Sequence, residues 1–153
     1  IVRISMTPNL DADEYRIVLT WGDTPYDIDA HLDGSYNGTS FAVDYAHMTY
    51  AVDSTTVATL DIDDRFSYGP ETITLKYSDA LGDCSFYVHD YSNRYDSSST
   101  ELSMSSAEVN VYSGNELVAT YKIPMNRIGT YWNVFDIVDG GIVTVNTVSN
   151  SHT

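Results

Sequence analysis

The sequence predicts an all-β fold: an antiparallel two-sheet β-sandwich, jelly-roll-like or Ig-like. Apolar residues recur with a period of two along nearly the whole chain, and no segment carries the 3.6-residue period of an amphipathic helix. Turn-forming clusters such as Asn37-Gly38, Gly82-Asp83, Gly114-Asn115 and Asp139-Gly140-Gly141 punctuate that alternation. The result is about ten short strands, too many for one flat sheet in a domain of this size, so two packed sheets follow.

Taken in order, Val2, Ile4 and Met6 mark a first strand, and Tyr15, Ile17, Leu19 and Trp21 a second. Ile28, Ala30 and Leu32 mark a third, with Asp33 read as turn-forming. Gly34 to Gly38 reads as a turn loop, after which Phe41, Val43 and Tyr45 return as a hairpin partner. Asp44, on the other face of that partner, is expected to stand alone. Val57 to Asp63, Ile73 to Tyr77 and Phe86 to Tyr91 follow as strands. Asn93 to Ser106 is polar and serine-rich, with Asp96 to Thr100 expected to be mobile. Two hairpins close the chain: Ala107–Tyr112 with Leu117–Ile123, and Tyr131–Val138 with Ile142–Val148. Residues 149 to 153 read as a frayed end or the start of a linker. The whole, 1–153, is expected to be a single β-sandwich module excised from a larger multi-domain surface protein.

The net charge is -15, from 22 acidic against 7 basic residues. That charge repels phosphate backbones and anionic membranes, which argues against nucleic-acid binding and membrane insertion. No apolar run is long enough for a membrane-spanning helix. Cys84 is the single cysteine, so no intramolecular disulfide and no zinc–cysteine cluster can form; beside Phe86 and Val88 it reads as a small buried hydrophobe. Thirteen tyrosines accompany few lysines, a composition common in secreted β-proteins and in binding surfaces.

Two acidic segments carry the chemistry: Asp27-Ile28-Asp29-Ala30-His31-Leu32, and Leu60-Asp61-Ile62-Asp63-Asp64 leading into Tyr68-Gly69-Pro70-Glu71. On a strand, alternate residues share a face, so Asp27, Asp29 and His31 oppose Ile28, Ala30 and Leu32. Two such rows repel unless they form a solvated sheet face or a cation neutralises them. A hard divalent ion with oxygen ligands, Ca²⁺ above all, does the latter. The candidate metal ligands are Asp27, Asp29, Asp61, Asp63, Asp64 and Glu71, with Asp27 and Asp61 the first to be merely solvated if the site is full. The D-x-D-x-D-G loop of an EF-hand is missing.

Several motifs, in this order and spacing, resemble the YfaP/DUF2135-type β-sandwich modules of bacterial secreted or surface proteins. They are Leu19-Thr20-Trp21-Gly22, Asp27-x-Asp29-x-His31-Leu32, Leu60-Asp61-x-Asp63-Asp64 and Gly69-Pro70-Glu71-Thr72-Ile73. Tyr87-Val88-His89-Asp90-Tyr91-Ser92 and Trp132-Asn133-Val134-Phe135 extend the likeness, which spans Tyr15 to Asn146. It implies a sandwich fold and an extracellular setting on the bacterial cell surface, with no agreed enzymatic activity. A looser similarity is to Ca²⁺-dependent ligand-binding modules of large bacterial adhesins.

Phe86 and Val88 claim the core side of their strand, so Tyr87, His89 and Tyr91 are expected to face outward or into a groove. With His31, and with Tyr95 on the following loop, they form the candidate ligand-binding face. The alternatives are a solvated sheet face with amphipathic aromatics and, for His31 and His89, a zinc site. Nucleophile motifs such as G-x-S-x-G are absent, so the chain is read as non-catalytic, with a metal-dependent hydrolase the less favoured alternative. The expected function is Ca²⁺-supported adhesion or ligand recognition. The partners would be a peptide or glycan on a host or neighbouring cell surface, together with neighbouring domains of the same chain. The competing expectation is a structural spacer in a surface stalk.

Overall fold

The computed structural model describes residues 13–62 and 67–152. Among these residues there is no helix, and eleven strands form two antiparallel sheets. They are β1 (Glu14–Thr20), β2 (Ile28–Tyr36), β3 (Thr39–Val43), β4 (Thr49–Val52), β5 (Thr55–Ile62) and β6 (Glu71–Lys76). Then come β7 (Cys84–Asp90), β8 (Glu108–Ser113), β9 (Glu116–Lys122), β10 (Tyr131–Val138) and β11 (Gly141–Ser149). One sheet has the order β4-β5-β6-β1-β8-β9 and the other β11-β10-β7-β2-β3. The fold is a β-sandwich, as the period-two alternation predicts. The strand expected over Val2–Met6 lies outside the described residues.

The core is the set of inward alternate positions. Ile17 and Leu19 of β1, Ile73 and Leu75 of β6, and Val109 and Val111 of β8 come from one sheet. Ile28, Ala30 and Leu32 of β2, Phe86 and Val88 of β7, and Trp132 of β10 come from the other. A bulge in β10 between Asn133 and Phe135 breaks the alternation and lets the successive residues Val134 and Phe135 both bury.

Four expectations are corrected. β2 does not end at Leu32 but runs to Tyr36, so Asp33 is a strand residue. Gly34 is a packing glycine: a Cβ there would lie 2.6 Å from Cys84 Sγ and 3.0 Å from the Phe41 ring. The turn is Asn37-Gly38, whose φ values of 50° and 78° fit a two-residue hairpin loop. β4 shows only a brief, half-buried alternation, Tyr50 and Val52, and Tyr50 stacks on Phe41. The 93–106 segment is anchored: Leu102 and Ser103 are fully buried, and Gly129 N–H donates to Ser99 O. The chain end folds back, with Asn133 Nδ2 donating to Ser151 O at 2.9 Å and His152 stacked on Tyr87.

Candidate metal centre

β7 pairs with β2 over Ile28–Asp33, whereas β3 covers the opposite side of β2 only from Leu32 onward. Ile28 to His31 therefore presents a sheet edge, whose backbone groups need partners. Glu71, the first residue of β6 in the other sheet, supplies one. Its Oε1 accepts the Ala30 N–H at 2.9 Å. Glu71 shares the core-facing side of β6 with Ile73 and Leu75 and is 0% exposed.

The loop before β6 is fixed by Gly69. Its φ is +71°, and a Cβ there would lie 2.7 Å from the Trp21 ring and 3.0 Å from Leu19 O. Trp21 N–H in turn donates to Tyr68 O. This close approach aims Glu71 across the sandwich at β2.

Asp29 lies on the same edge of β2 and is 2% exposed. Asp27, just before β2, is held on both backbone sides by Ser92: Asp27 N–H donates to Ser92 Oγ at 2.9 Å, and Ser92 N–H donates to Asp27 O at 3.1 Å. One carboxylate oxygen from each of Asp27, Asp29 and Glu71 lies within 4.8 Å of the others. Oxygens on opposite sides of a Ca²⁺ ion stand about 4.6–5.2 Å apart, so a single ion can touch all three. Converging carboxylates repel one another, more strongly out of water, and this donor set can hold a metal ion.

The other candidate ligands divide. Asp61 does not join the triad. It is the extra residue of a β5 bulge, exposed, and its Oδ2 accepts from Thr74 Oγ1 at 2.8 Å. It faces outward opposite the buried Leu60, as the alternation of that strand predicts. Asp63 and Asp64 lie outside the described residues. His31 and His89 do not join the triad either.

The expected aromatic face exists on the outer side of the β2–β7–β10 sheet, and it is more closed than expected. Tyr87 faces outward from the core but is 7% exposed, because His31 stacks on one side of it and His152 on the other at ring distances of 4.8 and 4.4 Å. His89 stacks on Tyr131 at 4.4 Å. Burial pushes His31 down to about 4, and a neighbouring Asp44 carboxylate 3.6 Å away only partly opposes this. Burial also lowers His89, with Arg94 adding to the effect. Asp44 is not alone: it meets His31 and His47 and accepts the backbone N–H groups of Ala46 and His47. Tyr91 continues this surface at the end of β7, with Tyr45 edge-on to it at 5.7 Å. Tyr95 is 91% exposed on the adjoining loop.

Sequence reasoning passes over three contributors. Tyr131 and His152 complete the aromatic stack; Tyr131 sits opposite His89 in the β7–β10 ladder, a pairing that only the register reveals. Asp90 is fully buried beside the site and accepts Asn93 N–H and Nδ2 at 3.1 and 2.8 Å. Burial pushes it up to about 6 despite those hydrogen bonds. Its Asp-x-x-Asn spacing after a strand is the signal that marks it. Cys84 is a buried thiol that burial pushes up to about 11, as its apolar setting suggests.

No family model and no curated protein matches this chain. Two solved structures share its fold. A crystallised protein of unknown function is 14% identical, with a TM-score of 0.62 over 92% of this chain and 91% of that one. A homologue of the telluride resistance protein TerD from Streptomyces coelicolor A3(2) is also 14% identical, with a TM-score of 0.61 and the same coverage. At this identity the likeness is one of fold: this chain is a β-sandwich of the architecture seen in both.

Proposed function

We propose that this chain is a non-catalytic, Ca²⁺-binding recognition module of a bacterial surface or secreted protein. The observation that carries the reading is the convergence of Asp27, Asp29 and Glu71, two of them buried, at one end of the sandwich. An all-oxygen set with several carboxylates suits a hard cation rather than zinc, and the flexible geometry of Ca²⁺ suits ligands from two sheets. The ion would complete its shell with water and with oxygens of the adjoining loop. Burial of Asp29 and Glu71 favours an ion closed off by protein, in a structural role, over a catalytic metal with an open position. The strongly acidic surface suits a medium rich in Ca²⁺, and the YfaP/DUF2135-like motifs support the extracellular setting. The Tyr- and His-rich face beside the site supports recognition of a peptide or glycan as the task.

Calorimetric titration with Ca²⁺ tests the reading. Saturable uptake by the native chain, lost in Asp29→Asn, is the expected result. Absence of Ca²⁺ binding by the native chain would defeat it. Mg²⁺ should bind more weakly, because it resists dehydration and demands octahedral geometry.

A further inference from the structure

The surface next to the triad carries one feature that the metal reading does not use. Arg94 lies between two tyrosine rings, its guanidinium 3.8 Å from the centroid of Tyr91 and 4.7 Å from that of Tyr95. Its Nη1 donates to Tyr91 O at 2.6 Å and its side chain also hydrogen-bonds Tyr95, which leaves part of the five-donor fork for a ligand. In a chain with 22 acidic residues, Arg94 forms no ion pair with a carboxylate among the described residues. Contact with the two rings steadies the guanidinium, and Arg94 as a whole is exposed. A preset guanidinium fork matches a carboxylate in two-pronged geometry.

The surroundings narrow the ligand. Tyr45, Tyr91 and Tyr95 flank the cation, and Tyr45 and Tyr95 are exposed. Tyr45 stands edge-on to Tyr91, Arg94 lies over Tyr91 and Tyr95, and Tyr91 follows the end of β7, so these rings offer neither an apolar channel nor a bare strand edge for an extended peptide. Exposed tyrosine rings beside a steadied cation suit a sugar ring whose C–H face packs on an uncovered tyrosine while its carboxylate meets the guanidinium. The net charge of -15 opposes a polyanion, so one acidic residue on an otherwise neutral glycan fits best. Tyr45 also lies within electrostatic range of Asp29. A cation at the triad would therefore relieve the negative potential beside these rings.

We propose that Arg94, with Tyr45, Tyr91 and Tyr95, forms a binding site for a terminal carboxylated sugar. The site itself stands on the Arg94 geometry; its strengthening by Ca²⁺ rests on the metal reading above. The probes are short glycans ending in glucuronic acid or sialic acid, and the same glycans with the carboxyl group reduced to an alcohol. Binding is measured in Ca²⁺ and in chelator. The acidic glycans should bind at least about tenfold more tightly than their reduced counterparts, consistent with a charge-assisted bidentate contact. Arg94→Gln should erase that preference and Tyr95→Ala should weaken binding, both with unchanged melting midpoints. Arg94→Lys should recover only part of it, since an ammonium lacks the fork. Equal binding of acidic and reduced glycans, no glycan binding at all, or an Arg94→Gln chain that keeps the preference would each overturn the site. Arg94-dependent binding of a free peptide C-terminus without any glycan binding would overturn the sugar assignment. Glycan binding that is identical in chelator would leave the Arg94 site standing and remove its link to Ca²⁺.

Discussion

Glu71 Oε1 accepts the Ala30 N–H at 2.9 Å, so the first residue of β6 in one sheet caps the bare edge of β2 in the other. One side chain thereby joins the two sheets and places a carboxylate at the triad. Its two roles separate by substitution. Glu71→Ala leaves the Ala30 N–H without its acceptor and should cost about 1–3 kcal/mol. Glu71→Gln keeps a carbonyl oxygen for that bond and removes a charge. It should retain most of the stability in the absence of metal and lose most of the Ca²⁺ affinity. Urea denaturation in chelator and Ca²⁺ calorimetry on both variants check this; equal Ca²⁺ affinity in Glu71→Gln and the native chain would exclude Glu71 as a ligand.

Asp29 and Asp61 look alike in sequence, each a carboxylate in an alternating acidic strand, and the structure separates them. Asp29→Asn should abolish stabilisation by Ca²⁺, whereas Asp61→Asn should cost less than about 1 kcal/mol and leave that stabilisation intact. Asp79→Asn, at an exposed turn, is a suitable control. Asp44→Ala is not, because Asp44 holds a turn and faces two histidines. Melting of the variants with and without Ca²⁺ distinguishes them, and an Asp61→Asn chain that no longer responds would relocate the site.

The contrast between these residues shows how much was legible. Period-two alternation reveals the sandwich and most strand positions, because each inward row must bury. It also places Asp27 and Asp29 on one side of β2, but the Gly-Pro turn suggests only that Glu71 folds back toward the Asp63–Asp64 strand end, and its reach across to β2 depends on the packing of the two sheets. Asp61 keeps its outward place opposite Leu60 and is exposed, as expected of one of the two candidates first to be solvated, whereas Asp27, the other, joins the triad because Ser92 holds its backbone. The closed state of Tyr87 and the share of Tyr131 and His152 in the aromatic stack depend on cross-strand register and on the returning chain end. Those are long-range relationships that a local pattern does not encode.

His31 and Asp90 pull stability in opposite directions with pH. Burial holds folded His31 at about 4, below its ordinary 6.5. Between those values the unfolded chain binds a proton that the folded chain does not, so acidification through this window destabilises. Folded Asp90 is pushed up to about 6 from 3.8, so its contribution is favourable at low pH and is lost as pH rises through about 6. On going from about pH 7 to about pH 5, His31→Gln should lose less stability than the native chain and Asp90→Asn should lose more. Chemical denaturation at the two pH values gives the comparison. Parallel losses in all three chains would show that neither group governs the pH response.

Gly69 is expected to be intolerant of a side chain. Its positive φ and the 2.7 Å approach of a Cβ to the Trp21 ring predict a loss of about 1–3 kcal/mol for Gly69→Ala. Gly38→Ala, with a similar φ of +78° and open space around it, carries only the backbone penalty and should lose less. Denaturant midpoints of the two variants measure the difference. Equal losses would mean that the Trp21 contact does not fix the loop before Glu71.

The central claim, a Ca²⁺ ion held by Asp27, Asp29 and Glu71, is tested most directly by the thermal melting midpoint in saturating Ca²⁺ against excess chelator. At about one hundred times the dissociation constant, a ligand bound only by the folded state adds about 2.7 kcal/mol. For a chain of this size that is a rise of roughly 5–10 °C. The predicted result is a rise of this size in the native chain and none in Asp29→Asn. Identical midpoints for the native chain in Ca²⁺ and in chelator would contradict the account.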